Sequence, residues 1–260
     1  MEALEEYYKT LRLDIETQML TMENGGNKTQ LFTSYAIELM KMIGEVDNVK
    51  VAYDEETNPN RKKHMINAFS VSEDFSTACL FVTIYKAQKS MVAVSDKEIQ
   101  DAIKLVSNFY SKATQEDYVT KLTDSAEIVG CAEILGKNEK FRENIKLVKI
   151  YVLTNGLFSG SFHSDKKLCG LPLNCEVFDL NKLNQISEEM KQPITVDLES
   201  LNYKLPYLQG AEDNDLYQAY VTIVKGSLLA DLYKIYKVRL MESNVRQFLQ
   251  FSGKVYGRAA

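Results

Sequence analysis

A chain of 260 residues, 45% apolar and 26% charged, is long enough for one large domain or two modest ones and has the composition of a globular protein. No apolar run is long enough to span a bilayer, and the acidic start Met1-Glu-Ala-Leu-Glu-Glu lacks a cationic stretch ahead of an apolar one. Neither a membrane partner nor a secretory signal is expected, and the chain reads as cytoplasmic. The net charge of −5 argues against tight non-specific duplex binding by the chain as a whole, because such binding rests on phosphate neutralisation, but it leaves room for a local basic face.

In chain order, Leu4, Tyr7, Tyr8, Leu11, Ile15, Met19 and Met22 recur at three- and four-residue steps. They predict an amphipathic helix over 1–22, stopped by Asn24-Gly-Gly-Asn27. A second helix is predicted over about 29–43, capped near Thr29 and ended by Gly44. The period then shortens to two. Val49–Tyr53 reads as a strand and Glu55–Asn60 as a turn around Asn58-Pro59. His64–Val71 and Thr77–Lys86 read as two more strands, joined by Ser72–Ser76. The run Cys79–Tyr85 is nearly all apolar and predicts a central strand buried on both faces. Ser95 stands three residues before Glu98, a capping box that opens a helix with the stripe Ile99, Ile103, Val106 and Phe109. A further helix is expected over about Asp124–Gly136 and a strand over Ile145–Thr154. The order α-α-β-β-β-α-α-β predicts a mixed sheet flanked by helices, an α/β or α+β architecture.

The Gly-, Ser- and Lys-rich stretch 155–174 is the candidate boundary. It divides the chain into 1–158 and a smaller α+β part, 159–260. In the second part Glu176–Leu180, Ile194–Leu198 and Asp215–Val224 read as strands, Asn181–Met190 as a helix, and closing helices start near Ser227.

Few residues announce chemistry by themselves. Cys79 and Cys131 lie in apolar runs, and Cys169 and Cys175 share a loop with no His or Cys at ligand spacing, so reduced thiols are expected. His64 follows Arg61-Lys62-Lys63, either a phosphate-contacting patch or, more plainly, a solvated turn. His163 sits in the Gly/Ser loop, where acid–base work is the functional reading. The acidic runs Asp54-Glu55-Glu56 and Glu212-Asp213-Asn214-Asp215 read as a solvated hairpin end and a polar loop. No Gly-x-Gly-x-x-Gly follows a strand, and neither a Gly-x4-Gly-Lys-Ser/Thr loop nor a Gly-x-Ser-x-Gly elbow occurs.

Near the end, an apolar helix runs into Glu242-Ser-Asn-Val-Arg-Gln-Phe-Leu-Gln250. With its Asn244-Val-Arg246-x-Phe248-Leu249 core, this segment resembles the signature of the abortive infection phage resistance (AIPR) family of bacterial proteins. There the run sits mid-chain and leads into a long C-terminal region, so the resemblance implies the N-terminal part of a larger antiphage protein. The partner it implies is that C-terminal region, with a nucleic acid or a phage component as alternatives. Asn244 and Arg246 then act either as a structural clamp or as contacts to such a partner. The tail Tyr256–Ala260 departs from the family pattern.

Many members of that family carry a restriction-endonuclease-like core, with motifs like Ile-Asp-Ala-Phe on one strand and Gln-Ser-Lys-Tyr on the next. The acids bind Mg²⁺ and the lysine orients the attacking water. This chain has Ile66-Asn67-Ala68-Phe69 and Val82-Thr83-Ile84-Tyr85. The framing residues match, but Asn67, Val82 and Ile84 replace the three chemical positions. Glu38 on the second helix matches an assisting helical acid, and one carboxylate does not hold Mg²⁺. The resemblance thus implies a degenerate, non-catalytic nuclease-like fold without a cofactor, used for interaction or regulation. Two alternatives stay open. One is an active Mg²⁺-dependent nuclease drawing its acids from Glu38, Asp54 or Asp74. The other is a nucleic-acid-binding module that uses Arg61, Lys62, Lys63 and the lysines from Lys137 to Lys149.

Overall fold

The computed structural model of the chain describes residues 2–21, 27–58, 61–115, 117–122, 128–160, 167–191, 194–209, 220–236 and 240. Two helices come first. Helix α1 (Glu2–Thr21) buries Tyr8, Leu11 and Ile15, and α2 (Lys28–Met42) buries Phe32, Ala36, Ile37 and Met40. The Asn27 side chain accepts the Thr29 N–H at 2.8 Å, so the cap stands two residues before Thr29. Gly44, with φ of 69°, closes the turn after α2.

Three antiparallel strands follow: β1 (Lys50–Asn58), β2 (Arg61–Val71) and β3 (Thr77–Ile84). Helix α3 (Asp96–Ala113) crosses over the sheet, opened by the expected capping box of Ser95 and Glu98. A short 3-10 turn at Val119–Lys121 and helices α4 (Val129–Lys137) and α5 (Glu139–Asn144) return the chain to β4 (Leu147–Thr154), parallel to β3. The hairpin of β5 (Lys167–Leu168) and β6 (Leu171–Phe178) precedes α6 (Leu180–Lys191). The sheet order is β1-β2-β3-β4-β6-β5, a mixed six-stranded sheet of the α+β class.

Strand β3 lies between β2 and β4, as its apolar run predicts. Alternation sends its side chains to two faces. Leu80 and Val82, with Ile150 and Val152 of β4, join the core beneath α3 and α4. Phe81 stacks on Tyr151 with centroids 5.1 Å apart, and the Thr83 hydroxyl lies 2.7 Å from that of Thr33 on α2.

Several boundaries differ from the sequence reading, each for a local reason. Glu55–Asn58 is not a turn but the second half of β1, which pairs Glu55 with Met65 and Glu56 with His64 after a register shift. The poor strand propensity of these acidic residues is offset by cross-strand partners of opposite charge: Lys62 on Glu55 at 2.8 Å and Lys63 on Glu56 at 2.7 Å. Within 155–174 lies a hairpin whose two turn residues, Cys169 and Gly170, both have positive φ (50° and 85°). Strand β6 is longer than Glu176–Leu180, because it pairs along β4 from Leu173 to Phe178.

The chain forms two compact units, 1–40 with 46–188, and 41–45 with 189–260, and strands β5 and β6 fall in the first of them. The described part of the second unit contains the hairpin of β7 (Tyr207–Gln209) and β8 (Tyr220–Thr222) and helix α7 (Gly226–Tyr236). Ile194–Leu198 is not a strand. The Asp197 carboxylate accepts the N–H groups of Glu199 and Ser200, which folds the segment into a turn. No helix among the described residues is long and apolar enough to cross a membrane.

Candidate functional site

Two places in the first unit are candidate sites: the β2–β3 junction and a cleft lined by β1, β2 and the end of α3. Backbone pairing of β2 with β3 runs from Val71↔Ala78 to Ala68↔Phe81. Beyond that, β2 continues with β1 and β3 with β4. At the parting point Asn67 replaces the lost ladder bond: its Oδ1 accepts the Thr83 N–H at 2.8 Å. Asn67 is 1% exposed and its Nδ2 has no hydrogen-bond partner. Val82 is fully buried in the core beneath α3. Ile84 is half-buried against that core, and its carbonyl accepts the Thr154 hydroxyl at 2.8 Å. Glu38 stands on the exposed side of α2.

The cleft is built by the distal half of the β1–β2 hairpin, the end of α3 and the 3-10 turn. It holds about 470 Å³ and is lined by Asp54, Glu55, Glu56, His64, Lys112, Gln115 and Tyr118, among others. His64 is its buried floor, 2% exposed, so the solvated-turn reading of this residue is corrected. Because β2 begins at Arg61, His64 lies inside the strand and turns toward α3, with the Phe109 ring 5.9 Å away.

The His64 ring joins three elements. Nε2 lies 2.7 Å from Asp54 Oδ2, and Nδ1 lies 3.2 Å from Lys112 Nζ. Tyr118 donates its hydroxyl to the same Asp54 oxygen at 2.7 Å. Lys112 also pairs with Glu56, whose Oε2 is 3.4 Å from His64 Nδ1. Burial alone would raise the Asp54 carboxyl, but the bonds from His64 and Tyr118 outweigh it and hold it below the usual range. The Lys112 and Lys63 ammonium groups draw the Glu56 carboxyl down to about 2. Burial and the Asp54 carboxylate push the Tyr118 hydroxyl well above its ordinary value. The arrangement can hold a proton at His64 and pass the consequence to Lys112. The signal in the sequence was present but split, since Asp54 and His64 lie ten residues apart across a hairpin whose register the pattern did not give.

The other candidates lie apart or elsewhere. Asp74 is consumed in the β2–β3 turn, where Ser72 and Ser76 hydrogen-bond to it and bring its carboxyl to about 2. Lys62 and Lys63 are the cross-strand partners of Glu55 and Glu56, while the Arg61 side chain lies outside the described residues. Outside them too lie Asn244, Arg246, His163 and the acidic run 212–215. Among the described residues, no group of three or more His, Cys, Asp or Glu is arranged to hold a metal ion. None of the four cysteines is in a disulfide; Cys131 and Cys175 are buried, Cys79 half-buried and Cys169 exposed.

Residues 32–185, more than half of the chain, match the family model of the abortive infection phage resistance protein N-terminal domain. The chain belongs to this family. Its role is therefore in abortive infection phage resistance. No curated protein and no solved structure matches the chain. The AIPR N-terminal match opens in α2 and closes in α6, so it encloses the six-stranded sheet, the Asn67 junction and the His64 cleft. The Asn244–Arg246 run lies beyond the matched span.

Proposed function

We propose that this AIPR N-terminal domain is a nuclease-like scaffold that has given up metal-dependent cleavage and serves the phage-resistance protein through interaction or regulation. One observation carries the reading. At adjacent positions of β2 and β3, where related chains carry an acid and a second acid or glutamine, Asn67 spends its only oxygen on the Thr83 N–H, and Val82 is sealed in the core. A hard divalent cation takes six or more oxygen ligands, and for Mg²⁺ the protein usually supplies one or two carboxylates among them. Neither the neutral carboxamide nor the valine offers it charge. The partners we propose are the C-terminal region of the same protein, a nucleic acid or a phage component, with Arg61, Lys62, Lys63, Asn244 and Arg246 as candidate contacts.

Calorimetric titration of the chain with Mg²⁺ and Mn²⁺, alongside incubation with plasmid and single-stranded substrates, tests this. The expected result is no saturable heat and no EDTA-sensitive cleavage. Saturable binding that disappears in an Asn67→Leu variant would overturn the reading.

A further inference from the structure

The His64 cleft takes no part in the reading above. It unites a buried imidazole, a cation and two carboxylates at the meeting of three chain segments. We infer that His64 is a proton-operated latch that ties the β1–β2 hairpin to the end of α3 through Lys112.

The partners fix the neutral form of the ring. Asp54 Oδ2 is an acceptor, so Nε2 carries the proton and donates it at 2.7 Å. Nδ1 is then the bare nitrogen and accepts from the Lys112 ammonium at 3.2 Å. An Nδ1–H tautomer would leave a bare Nε2 facing a carboxylate oxygen and an N–H facing an ammonium, and both contacts would repel.

When a proton from solvent adds to Nδ1, the ring becomes a donor on both sides. The Nε2–H bond to Asp54 survives. The bond from Lys112 cannot, because an imidazolium N–H and an ammonium now face each other at hydrogen-bond distance. The acceptor within reach of Nδ1 is Glu56 Oε2, at 3.4 Å. Glu56 can exchange Lys112 for His64 and still keep Lys63 on Oε1 at 2.7 Å. The Lys112 side chain is 35% exposed and has water to turn into.

The other groups around the ring do not compensate. From β1, Glu55 is held by Lys62 and by the Tyr53 hydroxyl. Tyr118, 3.3 Å from Nε2, directs its hydroxyl to Asp54 and keeps its proton. Behind Asp54 and Tyr118 the buried Cys131 thiol of α4 is pushed up and stays neutral. On β2 itself, Lys62 and Lys63 are paired with Glu55 and Glu56. The charge added at His64 is therefore answered by a change of partner between Glu56 and Lys112. The end of α3 loses a link to the hairpin, and the wall of the cleft loosens.

The chain has only two histidines, so ring ¹⁵N spectra of the labelled full chain, with His163→Gln for assignment, resolve His64 directly. At about pH 8, Nε2 should be protonated and Nδ1 bare. Lys112→Met, which removes the opposing cation, should raise the pH at which the ring takes its second proton. Glu56→Gln, which weakens the alternative acceptor, should lower it, each by about one pH unit. In the unsubstituted chain, hydrogen-exchange protection of the Thr114 and Gln115 amides, corrected for intrinsic pH dependence, should fall several-fold over the same range. An Nδ1–H tautomer at about pH 8 overturns the inference, as does a switching pH unmoved in both variants. Constant protection of the two amides overturns the loosening.

Discussion

The Asn67 carboxamide oxygen meets the Thr83 N–H at 2.8 Å, just past the last backbone pair of their two strands, Ala68 with Phe81. A side chain thus finishes a ladder that the backbone abandons, and it does so in a closed interior. Asn67→Ala leaves the Thr83 N–H buried without an acceptor and should cost about 1–3 kcal/mol in urea unfolding. Asn67→Asp keeps the acceptor but places a second, unpartnered oxygen where Nδ2 now sits. Burial raises the pKa of such an acid, so its folded form holds the proton more tightly than its unfolded form. Stability is then present at low pH and lost as pH rises through the raised value. The Asp variant should therefore be weaker at about pH 8 than at about pH 5, relative to the parent. Equal deficits at both values would mean that the junction is open to water.

The Asp54 carboxylate gives the opposite pH dependence. Its folded form is held below the unfolded value of about 4, so its contribution is complete above that value and is lost as pH falls through the lowered one. Glu56, Asp74 and Glu98 are also drawn down to about 2, but their side chains are more open to solvent than that of Asp54 and are screened by it, so Asp54 should dominate the acid limb. Asp54→Asn should cost about 1–2 kcal/mol at neutral pH, from weaker bonds to His64 and Tyr118. It should also flatten the decline below about pH 4 in a series of urea midpoints. A variant with the parent's acid limb would assign that limb to other groups.

The β5–β6 turn separates strain from space. Cys169 and Gly170 both adopt left-handed backbone, with φ of 50° and 85°, as a two-residue hairpin turn of this hand requires. Asn tolerates that region better than Cys, so Cys169→Asn should gain a few tenths to about 1 kcal/mol. Gly170→Ala should lose about 1–2 kcal/mol although a Cβ there meets nothing within 4 Å, because the cost lies in φ alone. Thermal midpoints of the two variants should move in opposite directions. A neutral Gly170→Ala would count against the turn assignment.

The elements that the sequence displayed best were those whose signal is periodic and local. The stripe Ile99, Ile103, Val106 and Phe109 with its Ser95–Glu98 box returned as α3 with the box intact, and the apolar run Cys79–Tyr85 returned as the strand between β2 and β4. What was hidden depends on register. Asp54-Glu55-Glu56 looks like a polar turn until β2 is laid beside it, and only then do Lys62, Lys63 and His64 become its partners. Asn67 was legible as a substitution within a family pattern. Its bond to Thr83 was not, since it depends on where two strands part company. Cys169 likewise looked like a loop residue because hairpin turns of two residues leave little pattern around them.

Helix α4 carries two glycines for which one substitution should have opposite signs. Gly130 is exposed in the first turn, and a Cβ built there meets nothing within 4 Å. Removing the backbone freedom of glycine from a helix favours the folded state, so Gly130→Ala should gain up to about 1 kcal/mol. Gly136 is buried where α4 passes the end of α3, and a Cβ there would lie 2.8 Å from the Ala113 carbonyl oxygen and 3.2 Å from that of Gln115. Those are backbone atoms, and neither can swing aside as a flexible side chain could. The Arg142 guanidinium, which donates to the Gly136 carbonyl, fixes the helix end from its other side. Overpacking at this crossing should outweigh the helix preference, and Gly136→Ala should lose about 1–3 kcal/mol. Denaturation midpoints of the two single variants and the parent, measured side by side, decide it. If both variants gain stability, α4 does not press on the end of α3, and the segment that carries Lys112 to His64 has more room than the packing of these helices gives it.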